Sequence, residues 1–247
     1  MNLRDPMFWE SIYDRILTTL GFDRDRDYYS CQVLDVLLST RTSIVAESRK
    51  HLVELLQGRN VVVVGDSAGS NCPKPQGDVL IAADAAFEKC LEVGVVPDIV
   101  ATDLDGVSES SLKNRDTLFV VHAHGDNIEY LERFLPNVGG LLLGTAQYKC
   151  SHRVEVPGGF TDGDRAAFLA YYYGARRVFI YGFNFSSVGR WVKPSGIRVN
   201  ATVKLAKLSW SRILLLLLKD LGYEIECLED SCEGWIWASP RFLQVPR

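Results

Sequence analysis

From Asn60 onward, short runs of valine, isoleucine and leucine alternate with amphipathic segments, and this alternation restricts the fold more than any other feature of the chain. The apolar runs are residues 61–64, 79–82, 99–101, 118–121, 141–143 and 178–181. Helical patterns fit between several of them, at residues 85–93, 128–134 and 164–173. Continuous apolar strands separated by helices indicate an α/β fold, with a mostly parallel sheet covered on both faces. Crossovers in such sheets are right-handed.

Each apolar run ends in polar or glycine-bearing residues. In order these are Gly65-Asp66-Ser67-Ala68-Gly69-Ser70-Asn71, Ala83-Asp84, Thr102-Asp103-Leu104-Asp105-Gly106, His122-Ala123-His124-Gly125-Asp126-Asn127, Gly144-Thr145-Ala146-Gln147 and Gly182-Phe183-Asn184. Parallel strands put their carboxyl ends on one edge, where ligands bind. Six such stretches therefore point to a single crevice, although plain turns use the same residue types.

Asp103 and Asp105 are the sharpest of these signals. In extended chain, residues two apart point the same way, so both carboxylates can face one point. They repel unless a cation or a shared proton lies between them. A small set of hard oxygen ligands is how Mg²⁺ is held beside phosphates. The residues fit a Mg²⁺–nucleotide site or a polar turn closed by Gly106.

The other loops carry weaker signals. Residues 65–71 can lay backbone N–H groups against a phosphate or a base, but form neither a Gly-x-Gly-x-x-Gly nor a Walker motif. Asp84 follows Gly65 at the distance of a dinucleotide fold's ribose-binding acid, without the glycine triplet. Gly158-Gly159-Phe160-Thr161-Asp162-Gly163-Asp164-Arg165 opens a helix. Its glycines permit close backbone approach, Thr161 or Asp162 can cap the helix, and Asp164 and Arg165 are expected to be exposed, with Arg165 able to clamp a phosphate. His122 and His124 fit a metal pair or, with no third nitrogen or sulfur ligand nearby, two neutral groups that hydrogen-bond a substrate or the backbone.

Before residue 60 the chain reads as three helices, with Pro6 in the first turn of the first and Gly21 ending it. The second spans about residues 27–38 and the third about 45–56. No chemistry is expected there; Arg41, Arg49 and Lys50 read as the wet side of helices. Residues 186–199 form an irregular loop whose Lys193 and Arg198 can cover a polyphosphate. A long helix over residues 201–221 has a broad apolar face, suited to packing on the sheet, to a homodimer contact, or to both. A last strand spans 223–228, with Trp235-Ile236-Trp237 packed on it.

The net charge of −4 over 247 residues argues against a nucleic-acid binder driven by bulk positive charge. Arg4, Asp5 and Glu10 interrupt the first apolar residues, so no signal peptide is expected. The longest apolar run, residues 213–218, falls far short of the about 18 that a membrane span needs. The six cysteines include no Cys-x-x-Cys pair, so a zinc site is not expected. Buried reduced thiols in a cytoplasmic protein are the default. Cys227 and Cys232 are near enough in sequence to bridge, which a thermophilic source would favour.

The motifs Ala82-Ala83-Asp84, Pro97-Asp98, Thr102-Asp103-Leu104-Asp105-Gly106, His122-Ala123-His124-Gly125-Asp126-Asn127, Gly144-Thr145-Ala146-Gln147 and Gly158 to Ala166 occur in this order. Together they resemble the archaeal-type 6-hydroxymethyl-7,8-dihydropterin pyrophosphokinases, relatives of thiamine pyrophosphokinase. The resemblance implies a Rossmann-like catalytic domain that transfers diphosphate from ATP, with Mg²⁺, to a hydroxymethyl pterin on the way to tetrahydromethanopterin or folate-type cofactors. It departs from the family at Ala85, at the unusual loop after Gly65, and at Asn184. It implies metal ligation by Asp103, Asp105 and Asp126, with Asp84 as a further catalytic acid. Gly65, Asp66, Ser67, Gly69, Ser70 and Asp84 would contact the nucleotide, and His124, Gln147, Thr161, Asp162, Asp164 and Arg165 the substrate.

Two other activities share the Asp-x-Asp signal. Asp103-Leu104-Asp105-Gly106 also matches the nucleophile loop of haloacid-dehalogenase phosphatases, which normally ends the first strand of its domain. Sugar-nucleotide transferases use Asp-x-Asp with a metal. The expected organisation is a helical subdomain over 1–58, a catalytic domain over 59–199, and a C-terminal helix and strand over 200–247.

Overall fold

The computed structural model describes residues 3, 5–69, 71–73, 78–187, 200–229 and 231–235. Ser70, Lys193, Arg198, Ile236 and Trp237 lie outside the described residues. Three helices open the chain: α1 (Pro6–Leu20), α2 (Arg24–Leu38) and α3 (Thr42–Leu56). Asp5 caps α1 by accepting the Met7 N–H, and Asp23 does the same for α2 through Asp25. That cap starts α2 at Arg24, three residues earlier than expected.

The strands are β1 (Asn60–Val64), β2 (Val79–Ala83), β3 (Ile99–Thr102), β4 (Leu118–Ala123), β5 (Leu142–Ala146), β6 (Val154–Glu155), β7 (Arg177–Tyr181) and β8 (Glu224–Cys227). The helices among them are α4 (Ala86–Glu92), α5 (Ile128–Phe134), α6 (Asp162–Tyr172) and α7 (Ala201–Asp220). The sheet order is β6-β5-β4-β3-β2-β1-β7-β8, and every ladder among the described residues is parallel. Every residue of β2, β4 and β5 is buried. Since successive side chains point to opposite faces, both faces of the sheet are covered. Burying each Val, Ile or Leu contributes roughly 1.5–3 kcal/mol, which is what selects such runs for the centre of a parallel sheet.

The order reverses between β1 and β7. The chain lays down β1 to β6 in one direction, then returns to place β7 on the free side of β1. A crevice opens at the carboxyl ends where the order reverses. Crossing back, α6 packs on β1, β2 and β3, while α2 and α3 lie against β5. The Leu34 and Leu38 side chains of α2 fill the space beside Gly144 on β5. One buried core runs from Leu3 through the sheet to Cys232.

The cysteines differ from expectation. All six are paired, as Cys31–Cys150, Cys72–Cys90 and Cys227–Cys232. Only the last pair is close in sequence; the other two join α2 to the chain after β5 and the chain after β1 to α4. Among the described residues no helix is long and apolar enough to cross a membrane.

Candidate active site

At the carboxyl edge a cavity of about 630 Å³ opens beside the β1–β7 reversal. Among the described residues, Asp84, Asp103 and Asp105 bring carboxylate oxygens within 4.8 Å of one another there. They come from the ends of two neighbouring strands, β2 and β3.

Extended chain is not what makes these carboxylates converge. β3 stops at Thr102, and Leu104, buried in the core, takes a left-handed backbone with φ 74°. Such a conformation is costly for a leucine. Here Thr102 Oγ1 accepts the Leu104 N–H at 2.8 Å, and Asp103 Oδ1 accepts the Asp105 N–H at 3.2 Å. Asp84 is also left-handed, with φ 47°. Its N–H bonds Ala101 O at 2.8 Å, and its Oδ1 accepts the Thr102 hydroxyl at 2.7 Å. The same threonine thus fixes both acidic loops. A Cβ at position 106 would collide with the Asp84 carboxylate, so any larger residue there has to displace that acid.

The electrostatics follow from this crowding. Burial, and then the charges of Asp103, Asp162 and Asp105, push the Asp84 carboxyl well above its ordinary value. Asp162 is pushed up to about 6, first by burial and then by Asp103, with Arg165 opposing. A divalent cation among these oxygens would relieve the repulsion, and an all-carboxylate donor set suits a hard ion such as Mg²⁺.

His124 Nε2 lies 3.1 Å from Asp103 Oδ2. Asn127 fixes that loop by donating to Asp103 O at 2.9 Å and His122 O at 2.7 Å, and by accepting the His124 N–H at 2.9 Å. Asp126 is not brought into the acidic cluster. It lines the cavity, but its side chain is 72% exposed and faces Arg26 at 3.4 Å, and the Gly125 N–H before it bonds Asp27 Oδ1 at 2.8 Å.

Gly65, Asp66, Ser67, His124, Gln147, Thr161, Asp162 and Arg165 all line the cavity, but Gly69 and Asp164 do not. The Asp66 carboxylate pairs with Lys89 at 2.8 Å. The N–H groups of Gly65 and Ser67 bond Tyr181 O and Gly182 O, so these donors serve the β1–β7 junction. Asp164 and Arg165 are buried, against expectation. The Asp164 carboxylate forms a capping box with Thr161 and accepts the Phe160 and Thr161 N–H groups at 2.6 and 2.9 Å. Arg165 donates to Asp162 Oδ1 at 3.0 Å and to Phe160 O at 2.7 Å. Gln147 accepts from Trp9 Nε1 at 3.0 Å and donates to Gly159 O at 3.2 Å.

The N-terminal helices, expected to carry no chemistry, supply Tyr13, Arg26 and Asp27 to the wall, the link between α1 and α2 supplies Phe22, and α7 supplies Lys204 and Lys207. Lys207 Nζ sits 5.2 Å from the Phe22 ring centre and 5.8 Å from that of Phe160. Nothing local distinguishes these from ordinary helix surface residues; only the fold turns them inward.

A cavity of this size at the carboxyl edge of a parallel sheet, walled by converging acids, places the chain among α/β enzymes that bind ligands at a topological switch point. The family described as 6-hydroxymethylpterin diphosphokinase MptE-like matches residues 44–190. The chain belongs to that family, and so to the diphosphotransferases. It is 33% identical over 247 residues to a Methanocaldococcus jannaschii protein named 6-hydroxymethyl-7,8-dihydropterin pyrophosphokinase, covering 91% of this chain and 100% of that one. A Pyrococcus furiosus protein of the same name is 38% identical, covering 87% of this chain and 94% of its own. One from Methanothermobacter thermautotrophicus is 36% identical, covering 75% and 82%.

Proposed function

We propose that this chain transfers the terminal diphosphate of ATP to the hydroxymethyl group of 6-hydroxymethyl-7,8-dihydropterin, giving AMP and the pterin diphosphate. The product would feed tetrahydromethanopterin or folate-type cofactor synthesis. The observation that carries this reading is the Asp84–Asp103–Asp105 cluster inside the switch-point cavity. Diphosphate transfer needs positioning and cancellation of phosphate charge more than covalent help.

Asp84, Asp103 and Asp105 would hold Mg²⁺, which supplies charge neutralisation for the polyphosphate when bound. His124 orients Asp103 through its Nε2 contact. Lys204 and Lys207 of α7, in the lining of the same cavity, offer positive charge to the polyphosphate. Asp126 joins this set only through a water or a change of rotamer. Disulfides are rare in most cytoplasmic proteins, but intracellular proteins of hyperthermophiles carry them, so three pairs are compatible with a cytoplasmic enzyme.

The test is to incubate the protein with ATP, Mg²⁺ and the dihydropterin, with thiamine as a second acceptor. AMP and a diphosphorylated pterin are expected. No AMP with either acceptor counts against the reading, and an aspartyl-phosphate trapped on Asp103 would favour phosphatase chemistry instead. Asp103 follows the third strand of the sheet, not the first as that chemistry's loop normally does.

A further inference from the structure

Arg26 and Asp27 lie in the first turn of α2, and both bond the main chain of Gly125, in the loop after β4. Asp27 Oδ1 accepts the Gly125 N–H at 2.8 Å, and Arg26 Nη2 donates to Gly125 O at 3.0 Å. Asp27 is buried, and its second oxygen accepts the Tyr13 hydroxyl at 2.6 Å, so α1 braces the same carboxylate. A Cβ at position 125 would lie 2.8 Å from Arg26 Cβ and 3.4 Å from Asp27 Oδ1. The helix thus rests directly on loop backbone, an approach that glycine permits.

The contact reaches the acidic cluster through a short chain of bonds. Gly125 O and the Asp126 N–H belong to one planar peptide, so Arg26 also sets the direction of that N–H. The Asp126 N–H donates to His124 Nδ1 at 3.3 Å. A backbone N–H can only donate, so Nδ1 carries the lone pair and the ring proton sits on Nε2. Nε2 lies 3.1 Å from Asp103 Oδ2. Asn127 braces the loop elsewhere, at the His124 N–H and at Asp103 O and His122 O.

We propose that Arg26 and Asp27 are positioning residues for Asp103. They fix the Gly125–Asp126 peptide, the peptide orients the His124 ring, and the ring holds the Asp103 carboxylate toward the cation. This rests on the metal reading of Asp103 above. It makes the N-terminal helices part of the reaction machinery.

Metal binding tests it, with Mn²⁺ as the probe and electron paramagnetic resonance of the whole chain as the readout. Asp27→Ala should weaken Mn²⁺ binding about 10- to 100-fold, as loss of an outer partner of a ligand does. It should lower kcat for AMP release and leave KM for the dihydropterin little changed. Asp27→Asn keeps an oxygen for the Gly125 N–H and should recover most of the loss. Gly125→Ala lifts the loop off α2 without removing a charge and should reproduce the loss; it decides the matter if Asp27→Ala does not fold. Ring-nitrogen NMR of labelled histidine should show His124 as the Nε2–H tautomer in the parent and a mixture in Asp27→Ala, a change that lost stability alone would not cause. Parent-like Mn²⁺ affinity in the folded α2 and loop variants overturns the proposal, as does an Asp27→Asn no better than Asp27→Ala. Asp103→Asn separates the two readings. If it also binds Mn²⁺ as the parent does, the metal assignment falls and takes the proposal with it; if it loses Mn²⁺ while Asp27→Ala and Gly125→Ala keep it, the proposal alone falls.

Discussion

The Asp84 carboxylate occupies the space that a side chain at position 106 would need. Gly106 closes the Asp103-Leu104-Asp105 turn, so the two acidic loops interlock through a missing Cβ. Gly106→Ala should push Asp84 away from the other two acids while leaving the sheet intact. Diphosphate transfer, and binding of Mn²⁺ as a spectroscopic stand-in, should each weaken about 10- to 100-fold. Far-ultraviolet circular dichroism should not change. Normal metal binding in this variant would show that Asp84 lies outside the ligand set.

Asp105→Asn separates function from stability, because the two should move in opposite directions. Removing one of three crowded charges relieves repulsion, so in EDTA the variant should gain about 1 kcal/mol. The same change removes a metal ligand and should lower kcat roughly 100- to 1,000-fold. Chemical denaturation in EDTA and AMP release in Mg²⁺ read the two effects. A variant that is both less stable and inactive would mark Asp105 as structural.

The pH dependence of stability has a definite sign. The Asp162 carboxyl, pushed up to about 6 by burial and by Asp103, keeps its proton in the folded chain after the unfolded chain has released it. The folded state then binds more protons, so stability falls as pH rises from about 4 through 6. In EDTA, the parent protein should lose roughly 1–3 kcal/mol across that window relative to Asp162→Asn. Parallel curves for the two proteins would remove Asp162 from the strained set.

The sheet was legible because Val61 to Val64, Ile99 to Ala101 and their counterparts are buried on both faces, and only apolar residues tolerate that. The two-residue β6 carries no periodicity and escaped notice. Asp103 and Asp105 were found for a reason that does not hold: they converge through a left-handed Leu104, which no residue pattern announces. Asp98 resembled a site motif, yet it sits at the amino end of β3 and accepts the Leu80 N–H at 2.8 Å. Asp164 and Arg165 looked exposed because first-turn charges usually are; α6 is buried over nearly its whole length, which sequence periodicity does not resolve. The roles of Tyr13, Phe22, Asp27 and Lys207 depend on how α1, α2 and α7 lie over the sheet edge, information that resides in tertiary packing alone.

Pairing of distant cysteines was equally hidden, and its energetic signature is testable. Cys31–Cys150 closes a loop with a sequence separation of 119, whereas Cys227–Cys232 spans only 5. By loop-closure entropy the first should contribute about 5 kcal/mol and the second about 2 kcal/mol. Cys31 is also fully buried, in the helix that packs on β5. Cys31→Ala/Cys150→Ala should therefore destabilise the protein to guanidinium about 3 kcal/mol more than Cys227→Ala/Cys232→Ala. Reductant should bring the parent protein close to the first double variant or below it. If the first double variant matches the untreated parent, this pair makes no contribution to stability. If reductant destabilises neither the parent nor the variants, the thiols are reduced in solution, as composition alone suggested.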